Sequence, residues 1–164
     1  MPLNINDALN EILTFSDEDE TGGQVFKGFP STPEETAEYW SEVFVKFFQA
    51  TVHPPGFAIA ATLGKEPFKA AFLAAFSGAP LAPTGAAAII AGATAFALAL
   101  VPGALPFVAI PPAVPLIFVP QPPDPARPPV VSATVLAQNM LTWASTGFAD
   151  LPPPVGTPNT TGWA

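Results

Sequence analysis

The apolar positions of this chain change their period three times. Between residues 31 and 52, Trp40, Val43, Phe44, Phe47, Phe48 and Thr51 recur at i, i+3, i+4, i+7, i+8 and i+11, the spacing that lays one stripe along an α-helix. Polar residues, mostly acidic, occupy the opposite side. Thr32 is placed to cap this helix, with Glu35 three residues on as the reciprocal partner of a capping box. Pro33 falls at the first helical position, where a missing N–H costs nothing. Glu34, Glu35 and Glu38 favour the positive end of the helix dipole. Glu42 and Lys46 stand one turn apart, close enough to pair. His53 follows at the helix end, and Pro54, Pro55 and Gly56 stop the element.

The same reasoning predicts five further helices. Residues 6–13 place Leu9, Ile12 and Leu13 on one face behind Asn6 as N-cap. Residues 57–79 read as two pieces divided at Gly64. Glu66 and Pro67 open the second piece, Phe68, Phe72, Leu73 and Phe76 lie on one side, and Gly78 closes it. Residues 84–101, TGAAAIIAGATAFALALV, carry no charge and no proline. Thr84 can cap them and Pro102–Gly103 stops them. Gly85, Ala88, Gly92 and Ala95 line up small residues for close packing. Residues 130–146, opened by Ser132 or Pro129, put Val135, Leu136, Met140 and Trp143 on one face, with Gly147 as C-cap.

Elsewhere the periodicity vanishes. Residues 102–129 contain 11 prolines in 28 positions, which excludes a helix and removes donors from any central strand. Polyproline II or extended coil is left. Unlike a polar linker, this segment interleaves Phe107, Ile110, Leu116 and Phe118 with its prolines. Such an arm lies across its own helices or in a groove on a neighbour. The segment after residue 147 is again proline-rich and carries Trp163 as an aromatic anchor. The chain therefore reads as mainly α, a small helical bundle with long proline-rich extended arms. It divides into residues 1–30 (short helix and acidic loop), 31–101 (helical core), 102–129 (apolar arm) and 130–164 (last helix and extended tail). Phe107, Ile110, Leu116, Phe118, Trp143 and Trp163 are the expected subunit-contact residues.

Charge alters this picture more than composition at large. Only 11% of residues are charged against 49% apolar, less than half the usual ~25% charged. All but two acids precede residue 67, and the 54 residues between Lys69 and Asp124 carry no formal charge. A free monomer's surface ordinarily mixes charges of both signs, so this third of the chain is expected to be covered. Lipid is one possible cover. At 1.5 Å per residue the 18 residues of 84–101 span roughly 27 Å, the short limit for a bilayer. Neither flank carries the Lys/Arg or Trp/Tyr anchors of a span, so a core or subunit-contact helix is expected. A membrane hairpin of 57–77 and 84–101 is the alternative. A net charge of −8 with five basic residues lacks the basic footprint of nucleic-acid binding.

Chemistry is not advertised. There is no cysteine, hence no disulfide and no thiolate metal site. The acids at 17–20 are consecutive, not spaced as alternate calcium ligands, and SDEDETGG reads as a solvated loop. His53 is the single histidine and has no companion ligand. Gly64–Lys65 lacks the rest of a phosphate loop, and no serine sits in a G-x-S-x-G elbow. The Trp40/Phe44/Phe48 stripe would need a concave pocket to serve as a ligand box and is expected to face the core. No catalytic residue, cofactor, metal or small-molecule ligand is expected.

The segments YWSEVFVKFF, HPPGFA and IPPAVPLIFVP, with NMLTWASTG before a Pro/Thr/Gly-rich tail, give the chain a texture that resembles small virion proteins of tailed bacteriophages. The resemblance covers most of the chain without a specific motif, so no functional residue follows from it. It implies a structural part of a capsid, neck or tail, contacting its own copies or other virion proteins and assembled in the host cytoplasm.

Overall fold

The computed structural model describes residues 16–18, 24–26, 32–49, 60–76, 82–105, 108–116, 129–150 and 161–163. Among these, helix predominates: α1 (Pro33–Gln49), α2 (Lys65–Ala75), α3 (Ala82–Leu100) and α4 (Pro129–Ala144). Two 3₁₀ turns, Ala61–Gly64 and Val101–Ala104, lead into α2 and out of α3. Strands β1 (Ser16–Glu18) and β2 (Gln24–Phe26) form an antiparallel hairpin. A three-stranded antiparallel sheet has the order β3 (Val108–Ile110), β4 (Phe148–Asp150), β5 (Thr161–Gly162).

Helix α1 begins as its sequence requires. The backbone N–H of Glu35 donates to Thr32 Oγ1 (3.1 Å), and that of Thr32 donates back to Glu35 Oε2 (3.3 Å), closing the capping box. Val43, Phe44, Phe47 and Phe48 are buried, while Trp40 is half-buried against Tyr39 (ring centroids 4.9 Å). Glu42 pairs across to Lys65 at the start of α2. The helix is described to Gln49, and the expected last turn at 50–52 lies outside the described residues.

Helices α2 and α3 run antiparallel, interlocked by rings lying over glycines. A Cβ on Gly64 would stand 2.6 Å from Phe96 Cδ2, and one on Gly92 would stand 2.8 Å from Phe68 Cε2. Each helix thus lays a phenylalanine into the gap its partner's glycine leaves. Gly64 does not divide the chain as expected. Its backbone is right-handed helical (φ −73°, ψ −18°), and the 3₁₀ turn runs straight into α2. The glycine is needed for proximity, not for a break. A Cβ on Gly85 would likewise come within 4.0 Å of Phe76 Cε2, just past α2, and Ala88 is fully buried.

Rings from four elements meet in one aromatic interior. Phe44 lies 5.0 Å from Phe68, 5.7 Å from Phe96 and 6.1 Å from Trp143. Phe48 lies 5.4 Å from Phe96 and 6.3 Å from Trp143. Edge-on and offset contacts of this kind each contribute about 0.5–1.5 kcal/mol beyond simple burial.

Three other features depart from expectation. The acids at 17–18 were expected in a loop, yet Asp17 pairs with Val25 and Glu18 with Gln24. Residues 19–23, ending in two glycines, match the length of a hairpin connection. Helix α3 starts at Ala82, before Thr84, because Pro83 is tolerated in a first turn. Helix α4 starts at Pro129, one of the two openers expected. The proline-rich segment contains a strand: Val108–Ile110 lies between Pro106 and Pro111, at the sheet edge, where flanking prolines forfeit no central ladder bonds. Residues 6–13, His53 and Gly78 lie outside the described residues.

Candidate subunit-contact surface

The three-stranded sheet has two unlike faces. In register, Val108 pairs with Asp150, Ala109 with Ala149 and Ile110 with Phe148. Successive side chains alternate across a strand, so Ala109 and Ala149 share the inner face and both are buried. Val108, Ile110 and Phe148 share the outer face, where they are 55%, 40% and 38% exposed. Small residues inside let the sheet sit close on the helices. Large apolar residues outside meet solvent. Leu98, Leu105 and Val114 add further exposed apolar surface, all from the charge-free third of the chain.

The sheet is anchored by two tryptophans. The Trp143 indole N–H donates to the Val114 carbonyl (3.1 Å), which ties the segment after β3 onto α4. Trp163 is fully buried. Its backbone N–H donates to the Gly147 carbonyl (3.1 Å) and its indole N–H to the Phe148 carbonyl (3.2 Å). Its ring stands edge-on to Phe48 at 6.2 Å. Gly147 forms the floor of this seat, since a Cβ there would stand 2.8 Å from Trp163 Cδ2. The buried indoles satisfy their single donors, as large amphipathic rings must.

The expected contact residues divide accordingly. Leu116, Trp143 and Trp163 are taken into the chain's own interior. Ile110 is on the exposed sheet face. Phe107 and Phe118 lie outside the described residues. In the described part of this segment the Val114 carbonyl is held by Trp143 and Leu116 is buried, while Val108 and Ile110 are exposed. Sequence reasoning missed Val108 and Phe148 as surface residues. An alternation of large, small, large over Val108, Ala109 and Ile110 was the available signal, and the adjoining prolines masked it.

A second, polar feature lies between α1 and α2. Lys65 pairs with both Glu38 and Glu42, and Lys69 bridges Glu38 (2.8 Å) and Glu66 (3.1 Å). The two ammonium groups hold the Glu38 carboxyl below its ordinary range. The carboxylates in turn push both lysines up. These groups compensate one another and form a structural clasp. Buried Ser41 is also engaged locally, its hydroxyl donating to the Glu38 carbonyl (2.7 Å). The stripe considered as a ligand box is filled: Phe44 and Phe48 are fully buried under neighbouring rings.

Compared with family models, curated proteins and solved structures, the chain matches none.

Proposed function

We propose that the chain is a non-enzymatic structural subunit of a large assembly, a virion protein of the tailed-bacteriophage kind. It packs against its own copies or other virion proteins through apolar helices and proline-rich extended arms. The observation that carries this reading is the outer sheet face of Val108, Ile110 and Phe148, three large apolar side chains that are exposed, the first two of them in the charge-free stretch. Burying such surface is favourable by about 25 cal/mol per Å², and repetition over many copies turns a weak contact into a stable lattice. The placement in a virion, assembled in the host cytoplasm, rests on the resemblance of sequence texture.

The alternative is a membrane-inserted helical hairpin. One observation favours it: among the described residues, Gly85–Ala104 is one stretch long and apolar enough to cross a bilayer. Against it, α3 spends its small residues and Phe96 on packing with α2 and α1. Expression of the chain alone, fractionation with and without mild detergent, and light scattering separate the two. A soluble species of defined multiple mass, or a monomer that associates on concentration, supports the subunit. Recovery only from membranes, with release only by detergent, overturns it.

A further inference from the structure

We draw no further inference here: the strongest candidate, the uncharged surface patch along the outer side of α3 and the turn after it, where Ala87, Thr94, Leu98 and Leu105 are exposed, carries none because nothing in the structure shows what covers it.

Discussion

Phe68 lies over Gly92, so closely that a Cβ on the glycine would stand 2.8 Å from the ring. Neither side has room to yield, because Phe68 is fully buried and packed against Phe44 and Phe72. Gly92→Ala is therefore expected to destabilise the fold by about 1–3 kcal/mol through overpacking, despite alanine's better helix propensity. Phe68→Leu alone leaves a void and also destabilises. Combined with Gly92→Ala, the smaller side chain makes room for the methyl, so the double variant loses less than the two singles added together. Urea unfolding of the four proteins measures this coupling.

Thr32→Ala removes one half of the capping box at α1. The expected loss is about 1 kcal/mol, read as a lower denaturant midpoint at unchanged slope. Thr32→Ser retains the acceptor and most of the stability.

The clasp between α1 and α2 sets a pH window. Glu38 has a lowered folded pKa, so its contribution is complete above the unfolded carboxylate value of about 4.3 and is lost as pH falls through the depressed folded value. Lys65 and Lys69 have raised pKa values. Their contribution is complete below about 10.4 and is lost as pH rises through the folded values. Thermal midpoints should form a plateau between about pH 5 and 10. Glu38→Gln should lower the plateau and flatten its acid limb. The difference should shrink in about 1 M salt, because these side chains are partly exposed and screening there acts within ~3 Å.

Trp163→Ala empties the seat on Gly147. Loss of a fully buried tryptophan typically costs about 3–5 kcal/mol. The fall should appear in chemical unfolding together with faster hydrogen exchange at Ala149, whose strand loses its β5 partner.

Ile110→Thr and Phe148→Ser address the outer sheet face. Both side chains are substantially exposed, so the monomer's unfolding midpoint should move little. Association measured by light scattering should weaken about tenfold or more per substitution, the effect of losing about 1.4 kcal/mol of contact per copy. Unchanged association would remove this face from the assembly contact.

The capping box at Thr32, the ring-bearing face of α1 and the apolar character of α3 depend on spacing along the chain alone. Helix geometry converts that spacing into faces without reference to distant residues, which is why these features were legible in the sequence. The identity of the contact residues was less so. Trp143, Trp163 and Leu116 announced themselves as large apolar groups, but apolarity does not say whether the cover comes from the chain or from a neighbour. That was decided when the Val114 and Phe148 carbonyls received the two indole N–H groups and Gly147 left room for a ring. The roles of Gly64 and Gly92 were equally hidden. A glycine in a sequence signals freedom of backbone, whereas here it marks where Phe96 and Phe68, some 24 to 32 residues away in the chain, come to lie. The strand at Val108–Ile110 arose from its partner at Phe148–Asp150, because a three-residue strand gains its hydrogen bonds only from a neighbour that tertiary packing brings alongside. Local order came from the sequence through short-range geometry, and the division between inner and outer surfaces came from the tertiary structure, because burial is a property of the whole chain.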